Sequence, residues 1–150
     1  MGHTYYSVYE HIAFSTKHRA KTLDPGIQPE LFAYLAGAIK NQECYALIVG
    51  GHLEHVHLLV RKTNTILTGQ LVKEIKRTSS RWMKSKRPEL RSFHWQSGYG
   101  AFSVSYSLLN GVKKYILQQA EHHKKMTWEE EFRRLLKKHG IQFDERFYLD

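Results

Sequence analysis

Two histidines flank a valine at His55-Val56-His57, and Tyr115 and Gln119 follow at helical spacing. Imidazole is a common metal ligand, so two imidazoles and an amide can together hold one divalent ion. A phenol beside such an ion can attack a DNA phosphate, because tyrosine oxygen forms covalent intermediates with a phosphorus centre. It needs help to do so, since a phenol of pKa near 10 is only about 0.1% ionised at neutral pH. Each residue also has an ordinary structural use. Histidines bond to their neighbours and tyrosines pack at helix–sheet seams, and this chain has ten histidines and nine tyrosines.

The elements that must position these groups can be read from periodicity. Residues about 4–15 alternate as a strand, with Tyr6, Val8, Ile12 and Phe14 on one face and Tyr5, Ser7, Tyr9 and His11 on the other. Pro25, Gly26 and Pro29 mark a turn, and Leu31, Leu35 and Ile39 make the apolar stripe of a helix over Glu30–Lys40. Residues 44–49 and 54–61 read as two further strands with Gly50-Gly51 as the turn of their hairpin. On the second of these, Val56, Leu58 and Val60 face one way, while His55, His57 and Leu59 face the other. A helix over about 65–85 buries Leu67, Leu71, Ile75, Ser79 and Trp82, and residues about 93–106 read as a fourth strand. Ser107 is placed to cap a helix running to about Lys124 that carries Tyr115 and Gln119 on one face. Thr127-Trp128-Glu129-Glu130 fits a capping box that opens a last helix ending at Gly140. Glu129-Glu130-Glu131 reads as a favourable helix N-terminus, and the final ten residues as extended or loosely packed.

Strand, helix, strand, strand, helix, strand is the split ferredoxin-like (RRM-like) pattern, an α+β fold in which two helices cover one face of an antiparallel sheet. The other face then needs cover from the tyrosine-bearing helix or a second subunit. With 150 residues, no linker and no internal repeat, residues 1–150 read as a single domain. Apolar runs are too short to span a membrane, and the early residues lack an apolar signal region, so a cytoplasmic location is expected. Cys44 is the only cysteine, which excludes an internal disulfide or a thiolate cluster.

The net charge of +9 favours a polyanionic partner, and its distribution sharpens that reading. Lys73, Lys76, Arg77, Ser80, Arg81 and Lys84 share one face of the 65–85 helix, opposite its apolar stripe. A solvated face normally mixes signs, so this one reads as a phosphate-contacting ridge, which Lys17, His18 and Arg19 can extend. Of Trp95, Tyr99 and Phe102, two are expected in the core and one free to stack on unpaired bases. There is no Walker loop and no His-Glu-x-x-His helix.

Taken together, these segments resemble the single-tyrosine HUH transposases of the smallest bacterial and archaeal insertion sequences. The resemblance rests on His55-Val56-His57 and on Tyr115-Ile116-Leu117-Gln118-Gln119, reinforced by His11–Lys17, Trp95–Ser105, His122-His123-Lys124 and Gly140–Phe147. It covers nearly the whole chain in order.

The resemblance implies a ferredoxin-like core and a homodimer whose sheets join. In that dimer the tyrosine helix can complete the partner's metal site. It also implies a single-stranded DNA substrate bearing hairpins, a need for magnesium or manganese, and no nucleotide cofactor. His55, His57 and Gln119 would then be the metal ligands. Tyr115 would be the nucleophile, leaving a 5′-phosphotyrosine and a free 3′-hydroxyl. Two rivals share this sequence: a binding module that holds hairpins without metal or cleavage, and a domesticated transposase that processes genomic repeat hairpins.

Overall fold

Alternation along two strands organises the molecule. The computed structural model describes residues 2–150. It contains β1 (Tyr9–Ser15), α1 (Gln28–Asn41), β2 (Tyr45–Gly51), β3 (His55–Arg61), α2 (Thr68–Lys86) and β4 (Gly100–Val104), then α3 (Leu109–Leu117), α4 (Gln119–His122) and α5 (Trp128–Lys138). The four strands form one sheet in the order β2-β3-β1-β4, with every neighbouring pair antiparallel. This is the ferredoxin-like order expected from the sequence. No helix among the described residues is long and apolar enough to cross a membrane.

On one face, Ile12 and Phe14 of β1 and Val56, Leu58 and Val60 of β3 meet Leu31, Leu35 and Ile39 of α1 and Leu71 and Ile75 of α2. All are fully buried, and each such side chain contributes about 1.5–3 kcal/mol. The other face is covered by the C-terminal helices in two separate clusters. Leu109 and Ile116 of α3 close over Tyr9 and Leu59. Trp128, Phe132, Leu135 and Leu136 of α5 close over Ala13 and Phe102. The expectation named the tyrosine-bearing helix or a second subunit as cover; α5 shares the task. Between the two clusters, on the same face, lie His11, His55 and His57, buried against the sheet.

Several boundaries differ from the sequence reading. β1 begins only at Tyr9, and the fourth strand shrinks to Gly100–Val104, preceded by a single bridge between Thr16 and Trp95. Gly50 and Gly51 are the end of β2, and the turn is at residues 52–54. Leu67 stands before α2 rather than in its buried stripe and is 72% exposed. Trp82 stacks on Tyr34 at the edge of the core, ring centroids 5.2 Å apart. Ser107 caps nothing; it lies in a short 3-10 turn, Tyr106–Leu108. The tyrosine helix is not continuous to Lys124. At Gln118 it tightens, the amide bonding back to both the Lys114 and Tyr115 carbonyls. The tail is less loose than expected, because Phe143, Tyr148 and Leu149 pack on the α5 cluster.

Gly50 controls how close this helix comes to the sheet. It pairs with His57 across the β2–β3 ladder. A Cβ there would lie 2.7 Å from Ile116 Cγ2 and 2.9 Å from the Ile116 carbonyl oxygen. Glycine therefore lets the end of α3 rest on β2 beside His57.

Candidate active site

β3 presents His55 and His57 to the same side of the sheet, both fully buried. Their outer nitrogens are already engaged. His55 Nδ1 donates to Glu54 Oε1 at 2.6 Å, and His57 Nδ1 lies 2.7 Å from Nε2 of His11. Such backing bonds fix ring orientation and leave the other nitrogen to act. Both Nε2 atoms point to one oxygen, Glu131 Oε1, at 3.3 Å from His55 and 3.2 Å from His57. His123 Nε2 reaches the same oxygen at 2.9 Å.

Glu131 is the residue the sequence reading missed. Placed there only at a helix N-terminus, it does stand in the first turn of α5, yet it is 1% exposed at the centre of the site. Its second oxygen accepts hydrogen bonds from Gln119 Nε2 at 2.9 Å and from the Tyr115 hydroxyl. Burial favours the neutral acid, but the hydrogen bonds from His123, His55 and His57 overcome it and hold the carboxyl far below the usual range. A signal was present. Trp128, Glu131, Phe132 and Leu135 recur at helical spacing, so an acid sits within an apolar stripe, where acids are almost never found unpaired.

The two imidazoles are driven apart. Burial lowers the pKa of both, but bonds to Glu131 and Glu54 raise His55 to about 9, while His57 stays below its ordinary value. Trp128 lies flat on His55 with centroids 4.3 Å apart. Gln119 is 1% exposed, and its Oε1 accepts from His55 Nε2 at 2.7 Å. Burial first, then the charge of Glu131, raises the pKa of the Tyr115 phenol, so the resting hydroxyl is protonated.

His55, His57 and Glu131 offer three donor atoms within 4.8 Å of one another. Two histidines and a carboxylate with backing hydrogen bonds are a known donor set for divalent transition ions, so these residues fit a metal ion. Gln119 Oε1 adds a neutral oxygen beside them. The structure thus brings together all four residues singled out in the sequence, with Glu131 among them.

The expected phosphate ridge is less uniform. Lys73, Arg77 and Arg81 are exposed on α2, and Lys84 is half-buried. Arg77 pairs with Glu74 at 2.8 Å. Lys76 is committed elsewhere: burial lowers its pKa to about 8, and Nζ donates to the Gln96 and Gly98 carbonyls at 2.8 and 2.6 Å. A groove of 350 Å³ runs between this face and the 94–99 segment, lined by Lys73, Ser80, His94 and Tyr99 among others. Trp95 and Phe102 are core residues, while Tyr99 is 39% exposed. Lys17 and His18 are exposed in a 3-10 turn, and Arg19 pairs with Glu129 at 3.3 Å.

Comparison with known proteins gives the family and the fold. The family described as "Transposase IS200 like" matches residues 4–119, a span that contains His55, His57, Tyr115 and Gln119 and stops short of Glu131. A crystal structure from Deinococcus radiodurans R1, named as a transposase, is 25% identical with a TM-score of 0.62, covering 79% of this chain and 96% of that one. A REP-associated tyrosine transposase bound to a REP hairpin shares the fold at 13% identity and a TM-score of 0.59, covering 82% of this chain and 74% of its own. A search of curated proteins found no match. With most of its length matched by the family and with the HUH pair and the tyrosine gathered on one face of the sheet, the chain belongs to the IS200-like transposases, the metal-dependent single-tyrosine HUH enzymes.

Proposed function

We propose that this protein cuts and rejoins single-stranded DNA by attack of Tyr115 on a backbone phosphate. One observation carries the reading: the Tyr115 hydroxyl and the Nε2 atoms of His55 and His57 converge on a single buried carboxylate. The family match supports the class of enzyme, and the hairpin bound to a structural neighbour supports hairpin-bearing DNA as the substrate.

His55, His57 and Gln119, joined by Glu131, would hold a magnesium or manganese ion. When bound, the ion would draw a non-bridging phosphate oxygen and stabilise charge in the transition state. Two imidazoles suit manganese better than magnesium, which prefers oxygen. Tyr115 oxygen bonds to phosphorus as the bond to the 3′-oxygen breaks. The phenol loses its proton and the departing 3′-oxygen gains one. The products are a 5′-phosphotyrosine and a free 3′-hydroxyl, and attack by a second 3′-hydroxyl reverses the step to join new ends. Glu131 orients the phenol in the resting site. Once Glu131 shares its charge with a cation, its penalty on the phenolate falls. A homodimer carrying two such sites, with the α2 ridge holding hairpins, completes the proposal.

The test is a denaturing gel of labelled single-stranded DNA carrying its own flanking hairpin, incubated with the protein in manganese or EDTA. The wild type should give a manganese-dependent protein–DNA adduct. Tyr115→Phe should give none while still binding the hairpin. An adduct surviving in Tyr115→Phe, or binding with no adduct in either condition, would overturn the reading; the second outcome would favour a binding module.

A further inference from the structure

The α2 ridge cannot by itself hold DNA at Tyr115, because α2 packs on the sheet face opposite the one that carries His55 and His57. Something on the site's own face must receive the strand that is cut. α5 supplies a candidate. Glu131, Arg134, Leu135 and Lys138 fall three, four and seven residues apart and so share one helical face. Glu131 ends that face inside the site. Arg134 and Lys138 are exposed, and neither has an acidic partner within ion-pair distance among the described residues.

Both residues rim a cavity of 560 Å³ that reaches Tyr115 and Glu131. Leu108 and Val112 form apolar wall, and Leu108 is 61% exposed. His122, also on this wall, has its Nε2 buried with no hydrogen-bond partner among the described residues, and its ring is 4.8 Å from that of Tyr115. The cavity is within the size range of pockets that enclose small ligands. An apolar wall beside unpaired cations complements one kind of partner here: an unpaired nucleotide, with an apolar base face and anionic phosphates.

We propose that this cavity seats the unpaired DNA segment at the scissile phosphate, the base against the Leu108–Val112 wall and the flanking phosphates on Arg134 and Lys138. The proposal rests on the reading of Tyr115 as the nucleophile. It makes Arg134 and Lys138 substrate-binding residues of the cut strand, separate from the α2 ridge that would hold the hairpin.

The experiment compares three DNAs: a hairpin alone, the same hairpin with its unpaired flank, and the flank alone. Binding is measured without cleavage in Tyr115→Phe, with and without Arg134→Ala and Lys138→Ala together. The double substitution should leave hairpin-only affinity within about twofold and lower affinity for the flank alone by about tenfold or more. It should also reduce the slope of log affinity against log salt for the flank by about 1.4, near 0.7 for each phosphate left without its cation on a single strand. Arg134→Lys with Lys138→Arg should keep that slope. Both positions are exposed, and an unchanged melting temperature would confirm that the fold is intact.

Equal flank affinity and slope in the alanine and parent proteins would overturn the proposal. So would a shift from dimer to monomer in sedimentation with flank affinity retained, since the cavity would then be a contact between copies of this chain. Flank binding through Arg134 and Lys138 combined with no adduct from the wild type would uphold the seat and defeat the strand-transfer reading.

Discussion

At the scale of single residues, Glu131 decides how the site rests and would share in holding an ion. It is the shared acceptor for His55, His57, His123, Gln119 and Tyr115. Glu131→Gln removes the carboxylate on which both Nε2 atoms converge, so manganese affinity measured by calorimetry should fall by at least about tenfold. Unchanged affinity would remove Glu131 from the ligand set. The metal-free protein should also carry a pH signature. His55 titrates near 9 when folded and near 6.5 when unfolded, so the folded state holds an extra proton between those values. The stability this provides is complete below about pH 6.5 and is lost as pH rises through about 9. The melting temperature in EDTA should therefore fall between pH 7 and pH 9.5 by more in the wild type than in His55→Gln, a comparison that cancels the opposite contribution of Lys76, whose pKa burial lowers to about 8. Equal profiles would contradict the His55–carboxylate pairing. The histidine pair was legible in the sequence because a strand repeats every two residues. Glu131 was not, because its role depends on α5 folding back across the sheet, which brings distant parts of the chain together. Only its position in an apolar stripe hinted at it.

At the scale of elements, the close approach of α3 to β2 sets the distance between Tyr115 and the histidines. Gly50→Ala would place a methyl group against Ile116, whose backbone oxygen cannot move without moving the helix. Overpacking of this kind costs about 1–3 kcal/mol. A drop in melting temperature together with loss of adduct is expected. Full activity in this variant would show that the helix position is not critical. Element types followed from the sequence, since Ile12 with Phe14 and Val56 with Leu58 and Val60 alternate cleanly, and Leu31, Leu35 and Ile39 keep helical spacing. Their ends did not follow. Gly50-Gly51 imitates a turn but ends a strand: Gly50 answers the end of α3 packed above it, and Gly51 the close backbone of His55 and Val56 in β3. The tightening at Gln118 has no proline or glycine to announce it.

At the scale of the whole molecule, the sheet separates two tasks. α1 and α2 bury one face and present the cations of α2 to solvent, while α3 to α5 close over the other face and hold the chemistry between two apolar clusters. Lys73→Ala with Arg81→Ala should weaken hairpin binding and flatten its salt dependence by about 1.8, near 0.9 for each duplex phosphate no longer neutralised. An unchanged slope would free the α2 ridge from DNA. Lys76 belongs to a different group despite sharing the face: its ammonium ties down the 96–98 segment, so Lys76→Ala should lower the melting temperature as well as affinity. Charge patterning marked a helix that does present several cations to solvent, but it could not tell a cation facing solvent from one bonded to backbone carbonyls.

Strand transfer through Tyr115 is tested most directly by digesting the manganese-dependent protein–DNA adduct and mapping the linked residue by tandem mass spectrometry. A single modified peptide is expected, with the 5′-phosphate of the cleaved strand on Tyr115. Linkage to any other residue, or DNA cut with no covalent attachment, would contradict that chemistry.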